Sequence, residues 1–180
     1  MFPIADEFLT LPVMKNNNIV LLLGGNIGDT RGYLRNALTL LEQYMGFISQ
    51  QSYFYKTASW GYHSNDFINI GLVIETSKNA EECLNITQDI EDELGRIKED
   101  SSDVYSDRTL DIDIIFYNDL IFKTEKLTIP HPRMHERNFV LQPLVEMIPE
   151  FEHPVLKKTI SELANNCTDT SKARLLNEQV

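Results

Sequence analysis

The chain has 180 residues, 42% hydrophobic and 24% charged, with a formal net charge of −11. That size and balance fit one globular domain with a real core. The acidic surplus argues against a nucleic-acid or anionic-membrane partner, since both need a positive field.

Two cysteines, Cys83 and Cys167, stand far apart in no CxxC pattern, so a reduced cytoplasmic protein is the default expectation. No apolar run approaches the roughly 20 residues of a membrane span. Residues 1–17 lack the basic start and sustained apolar stretch of a secretory signal and read as a poorly ordered extension. The folded domain is expected over residues 18–165, followed by a tail, 166–180. Oligomeric state is open, with a monomer as the default.

Residues 18–26, "NIVLLLGGN", read as a buried strand running into a glycine turn. The following "GGNIGDT" is no P-loop, because it lacks the Gly-Lys-Ser/Thr ending that cradles phosphates. A helix then starts at Asp29 or Thr30 and stops at Gly46. Its apolar stripe is Leu34, Leu38, Leu41 and Met45. Residues 47–60, "FISQQSYFYKTASW", have the alternation and aromatic content of one strand, and residues 67–76, "FINIGLVIET", of another. A second amphipathic helix follows, capped by Ser77 or Asn79, with Cys83, Ile86, Ile90 and Leu94 as its buried stripe.

Residues 98–107 are polar and acidic, and a mobile loop is expected there. Next come a strand from Leu110, a turn at Asn118-Asp119 and an extended return over 120–130. A proline-punctuated region carries one or two short helices, and the tail reads as one helix with a frayed end. The order strand, helix, strand, strand, helix, strand is the ferredoxin-like pattern. It predicts an α+β fold: an antiparallel-rich sheet with two helices on one face, in a single domain.

The strand "LDIDIIF" carries a fault. Alternation points Asp111, Asp113 and Ile115 to one face and Ile112, Ile114 and Phe116 to the other. The two carboxylates then sit roughly 7 Å apart on one side of a strongly apolar strand. A buried, unpaired carboxylate costs several kcal/mol, so something positive belongs there. A pair of magnesium ions clamping phosphates would satisfy it. A solvated sheet face, or pairing with Arg108 and Lys98, is the plainer alternative. Seven of the sixteen Lys and Arg fall between residues 96 and 137: Arg96, Lys98, Arg108, Lys123, Lys126, Arg133 and Arg137. Nine acids share that window, so only their arrangement in space could make a polyphosphate site.

"DRTLDIDII" and "LTIPHPRMHERNFVLQPL" resemble signature segments of the 6-hydroxymethyl-7,8-dihydropterin pyrophosphokinase family of folate biosynthesis. "GGN", "FYKTASWG", "DFINIGLVIET" and "TQDIEDELGR" fall in that family's order, and the likeness runs from about Ile19 to Pro154. The resemblance implies transfer of pyrophosphate from ATP to the pterin's hydroxymethyl oxygen, giving the pterin diphosphate and AMP. It implies Asp111 and Asp113 as ligands of two Mg2+ ions. Arg96 and Arg108 join them as catalytic residues, and Gln88, Glu91, Lys98, Lys126, Thr128, His131 and Arg137 bind ATP. Thr57, Ala58, Trp60, Phe67, Asn69 and Phe139 hold the pterin, with the two phenylalanines sandwiching the ring and Asn69 reading its pyrimidine edge. His135 reads as structural. Two departures from the family's pattern stand out: Tyr105-Ser106-Asp107 replaces Trp-Gly-Pro, and Lys98 replaces an arginine, which loses a bidentate phosphate contact.

Two other functions fit the same residues without the resemblance. One is a different magnesium-dependent phosphoryl or nucleotidyl transferase. The other is a non-catalytic ferredoxin-like ligand-binding module. Asn69, Phe67 and Phe139 argue against the first, which has no use for a pterin-facing set, and the second would leave the paired aspartates and several bases idle.

Overall fold

A computed structural model describes residues 16–58, 65–95 and 109–176. Strand β1 (Asn17–Gly25) is the spine of the sheet and is buried from Ile19 onward. It pairs antiparallel with β4 (Phe67–Thr76) on one side and β5 (Asp111–Tyr117) on the other. Helix α1 (Thr30–Tyr44) links β1 to β2 (Phe47–Gln51), and α2 (Ala80–Glu93) links β4 to β5. The expected single strand over 47–60 is two strands, β2 and β3 (Phe54–Thr57), both antiparallel to β4. Ser52 makes the break: its N–H donates to the Gly71 carbonyl at 3.0 Å, and its Oγ accepts the Gly71 N–H at 2.9 Å.

The α+β, ferredoxin-like reading holds. The main sheet runs β5-β1-β4-β3, with β2 also on β4, and every pairing is antiparallel. Asp29 caps α1 by accepting from the Gly32 N–H. Of the two candidates for α2, Asn79 is the cap, and Glu82 completes a reciprocal capping box. Within α2, Cys83 and Ile90 are buried as expected, while Ile86 and Leu94 are only half-buried and Thr87 and Glu91 go inside instead.

After β5, the extended return forms a small hairpin, β6 (Phe122–Lys123) with β7 (Thr128–Ile129). A 3-10 turn (Met134–Glu136) leads into α3 (Asn138–Met147), and α4 (Ile160–Asn165) follows. The tail differs from the frayed end expected for it: β8 (Arg174–Leu176) pairs antiparallel with β3 at the sheet edge.

The two expected helices, α1 and α2, share one face of the sheet, and α3 and α4 cover the other. α1 and α2 close one core with Ile19, Leu21, Leu23, Ile70 and Leu72. α3 and α4 close a second with Val20, Leu22, Val73, Ile115 and Phe116. α3 comes close because Gly71 faces it. A Cβ there would stand 2.6 Å from Met147 Cε and 3.1 Å from Pro143 Cβ.

Phe116 is a second correction, since alternation placed it with Ile112 and Ile114. The register slips between Val20 and Leu21, so that Phe116 faces Val20 and Ile114 faces Leu21. Ile115 is the extra residue of a β-bulge. Ile115 and Phe116 both join the α3 core, and Phe116 packs on Phe151 with ring centroids 4.8 Å apart.

Candidate active site

The α3-side face of the sheet is apolar at one end and polar at the other. Residues that alternate onto it are Val20, Leu22 and Gly24 of β1, Asp111 and Asp113 of β5, and Phe67, Asn69, Gly71 and Val73 of β4. α3 and α4 cover Val20, Leu22 and Val73. Beyond them lie the two aspartates, Gly24 and Asn69.

Asp111 pairs with Gly24 across the ladder, and Gly24 pairs with Asn69. The row Asp111, Gly24, Asn69 therefore crosses three strands, with the only residue lacking a side chain in the middle. That gap is needed: a Cβ on Gly24 would stand 2.5 Å from Asn69 Oδ1. Asn69 is 3% exposed, and its Nδ2 donates to Thr57 Oγ1 at 3.0 Å. Thr57 is equally buried at the end of β3, with its backbone opposite Phe67. The bond to Thr57 fixes the plane of the amide and leaves Oδ1 over Gly24.

Asp111 and Asp113 are half-buried. β5 is an edge strand, and its outward backbone groups are held from both sides. The Ile112 N–H, between the two aspartates, donates to Glu91 Oε1 at 2.7 Å. Ile115 C=O accepts from the His131 N–H at 3.0 Å. Glu91, expected near the nucleotide, is thus a buried support beneath the strand, 4% exposed on α2. Gln88, one turn before it, is exposed.

His131 Nδ1 accepts the Arg133 N–H at 3.3 Å, so the neutral ring carries its proton on Nε2. Burial, and then the Arg137 and Arg133 charges, push the His131 pKa down to about 4, while Asp111 pulls the other way. Those influences make His131, Arg133, Arg137 and Asp111 electrostatic neighbours. Arg137 is 6% exposed, and its guanidinium carbon lies 5.7 Å from the centre of the Phe139 ring. Phe139, on the first turn of α3, is half-buried against the second core. Thr128 is half-buried on β7, and Lys126 is exposed in the loop before it.

A depressed histidine pKa has a consequence in acid. His153 is also lowered, first by burial and then by His135. Above the ordinary value of 6.5 both states of each ring are neutral and nothing is lost. Below it the unfolded chain takes up protons that the folded chain resists, so stability falls with pH until the folded value is reached. Between pH 6.5 and about 4 the urea midpoint is expected to drop. His131→Gln should remove part of that drop, on the order of 2 kcal/mol. An identical slope in the variant would refute the assignment.

Of the expected site residues, strand register puts Asp111, Asp113, Asn69 and Phe67 on this face, Thr57 bonds to Asn69, His131 feels the charges of Asp111 and Arg137, and Phe139 lies beside Arg137. Ala58 is exposed just past β3. Trp60, Arg96, Lys98 and Arg108 lie outside the described residues, as do the expected mobile loop and the Tyr105-Ser106-Asp107 departure. Two residues at the same end had no individual role assigned, and a third, Arg133, was counted only among the bases. Gly24 makes room for the amide. Asn26 is 6% exposed at the end of β1, with Nδ2 donating to the Asn65 carbonyl at 3.4 Å. Arg133 stands beside His131. An asparagine closing an apolar strand was a readable signal for Asn26; Gly24 gave none, because its reason lies on another strand.

A ferredoxin-like sheet with paired carboxylates, facing bases on one flank and a buried amide with aromatics on the other, describes a class: a transferase joining a polyphosphate to a flat polar heterocycle. Comparison with known proteins narrows it. Residues 20–149 match the sequence profile of the 7,8-dihydro-6-hydroxymethylpterin-pyrophosphokinase (HPPK) family, and the chain belongs to that family.

Among its relatives is the 2-amino-4-hydroxy-6-hydroxymethyldihydropteridine pyrophosphokinase of Bacillus subtilis (strain 168). It is 43% identical over 139 residues, which is 76% of this chain and 81% of that one. The enzyme of the same name from Aquifex aeolicus (strain VF5) is 34% identical, over 80% of this chain and 88% of its own. A crystal structure of a Plasmodium falciparum HPPK-DHPS triple mutant with STZ-DHP superimposes with a TM-score of 0.70 at 21% identity, over 84% of this chain. This chain covers 43% of that longer one, so the likeness there is one of fold.

Proposed function

We infer that the protein transfers the terminal pyrophosphoryl group of ATP to the hydroxymethyl oxygen of 6-hydroxymethyl-7,8-dihydropterin, yielding the pterin diphosphate and AMP, a step of folate biosynthesis. One observation carries the reading. In a chain of this family, Asp111 and Asp113 share a sheet face with the buried amide of Asn69, across the gap at Gly24.

The reaction makes a bond from the hydroxymethyl oxygen to the β-phosphorus and breaks the bond from that phosphorus to the α-phosphate oxygen, which leaves with AMP. Such transfers depend on alignment and on neutralising charge. Asn69 offers an amide whose plane is already set, which suits a ring edge of alternating N–H and carbonyl groups. Phe67 and Phe139 bound the ring's faces, with Thr57 and Ala58 at its rim. Arg137 and the neutral His131, through Nε2–H, meet the triphosphate. Thr128, Lys126 and Gln88 lie toward the nucleotide, and Glu91 steadies β5. Arg96, Lys98, Arg108 and Trp60 take their roles from the resemblance alone.

Magnesium fits the donor set. Asp111 and Asp113 supply two hard oxygen ligands, and no group of three or more metal-ligating side chains occurs among the described residues. That leaves positions for water and phosphate oxygens, the pattern magnesium favours. Bound there as two ions, it would supply positive charge to the polyphosphate. We take the working unit to be a monomer in the cytoplasm. No helix among the described residues is long and apolar enough to cross a membrane.

Incubation with ATP, magnesium and the hydroxymethyl-dihydropterin is expected to release AMP in step with pterin diphosphate. ADP as the product would mean an ordinary kinase. AMP without pterin would mean a hydrolase, and no turnover would favour a binding module.

A further inference from the structure

The first turn of α3 is poorly held by its own helix. The residue before it, Arg137, makes no side-chain cap, and its carbonyl accepts the N–H groups of Val140 and Leu141 at 3.1 Å, so the first two N–H groups, of Asn138 and Phe139, look outside the helix for partners. Pro143, inside the helix, has no N–H to give to the Phe139 carbonyl. This turn carries Phe139 and begins at Arg137, the two residues that α3 brings to the site.

The missing cap comes from residues 167–176, past the 20–149 span that matches the family. Asp169 Oδ2 accepts the Asn138 N–H at 2.9 Å. Asp169 Oδ1 accepts the Ser171 N–H at 2.9 Å, which fixes the carboxylate's direction. Asn138 Nδ2 donates to the Ser171 carbonyl at 2.6 Å, and Asn138 Oδ1 accepts from Gln142 Nε2 at 3.0 Å. A carboxylate at a helix N-terminus also gains from the helix dipole.

Three residues on, the chain becomes β8 and pairs with β3 through Phe54, Tyr55 and Lys56, one residue short of Thr57. The far end of α3 is tied to the same strand region. Glu146 accepts from the Tyr53 N–H at 3.1 Å and from the Tyr55 hydroxyl at 3.0 Å. The C-terminal segment thus joins the two elements, α3 and β3, that carry Phe139 and Thr57.

We propose that residues 167–176 form a strap that sets the spacing of these two walls, with Asp169 as a positioning residue that holds the first turn of α3 where Phe139 covers the pterin. The strap acts through Phe139 and touches no substrate. Its proposal rests on the assignment of Phe139 to the pterin. Losing the cap leaves the turn in its binding geometry for a smaller share of the time, and apparent affinity falls by that share.

The test uses the full chain and measures the pterin dissociation constant, the pterin KM and kcat, and hydrogen exchange at Asn138 and Phe139. Asp169→Ala is expected to weaken pterin binding about fivefold, the size of one helix cap, and to raise KM while kcat stays within about twofold. Exchange at the two amides should quicken. Asp169→Asn keeps an acceptor oxygen and should restore affinity to within about twofold of wild type. Phe139→Ala is the control and should weaken binding more than either. Wild-type affinity in Asp169→Ala, with Phe139→Ala impaired, overturns the strap even if exchange quickens. Wild-type affinity in Phe139→Ala overturns the pterin assignment itself, and the strap with it.

Discussion

Asp111→Ala and Asp113→Ala are each expected to slow AMP formation by at least about a thousandfold, or about 4 kcal/mol of barrier, while the chain stays folded. The two halves of that expectation have separate causes. Stability should hold because neither side chain belongs to either apolar core, and both are only half-buried. Activity should collapse because Asp111 and Asp113 are the two ligands proposed for magnesium. The measurement is AMP release at saturating ATP and pterin across a magnesium titration. More than about a tenth of the wild-type rate in either variant, at any magnesium concentration, would sink the metal assignment.

Asn69→Ala should weaken pterin binding about a hundredfold, and Gly24→Ala should come close to it. Asn69 is an amide at 3% exposure with its orientation fixed by Thr57. A site that hydrogen-bonds a heterocycle's edge loses far more than contact area when its partner is removed, because the ring's polar groups are then buried without partners. Gly24→Ala tests the same geometry without touching the amide's chemistry. Its new Cβ falls 2.5 Å from Asn69 Oδ1, so the amide must turn away and give up Thr57. ATP affinity, measured without pterin, should change less than threefold or so in both variants, because the bases at His131 and Arg137 are untouched. A Gly24→Ala protein that binds pterin normally would mean the amide does not read the ring.

Local signals were readable wherever one stretch of chain decided its own structure. Asp29 and Asn79 cap their helices because a short side-chain oxygen before an apolar stripe needs no distant partner. The ferredoxin-like order followed from the alternation of strand and helix periods. Alternation along β5 put Asp111 and Asp113 on the correct face, but failed at Phe116. A bulge opposite Val20 shifts the pleat there, and β1 decides it, not β5. Residues 47–60 looked like one strand because their composition is uniform. The break at Ser52 exists because its hydroxyl accepts the N–H of Gly71, nineteen positions away. The last residues looked frayed because Arg174, Leu175 and Leu176 carry little local preference, and they become a strand only because β3 offers an open edge.

The sequence by itself determined the strand–helix alternation through β5, the caps of α1 and α2 to within two candidates each, the family, and that Asp111 and Asp113 share a face, since each depends on residues close together in the chain or on a pattern along it. Only the tertiary structure decided which end of the sheet lies beyond α3 and α4, that Gly24 makes room for Asn69, that Glu91 supports the strand between Asp111 and Asp113, and that Asp169 caps α3. Those four are pairings across strands and helices. Backbone groups at an edge or a helix end must find a partner somewhere, and which side chain supplies it is fixed by where the folded chain brings the two together.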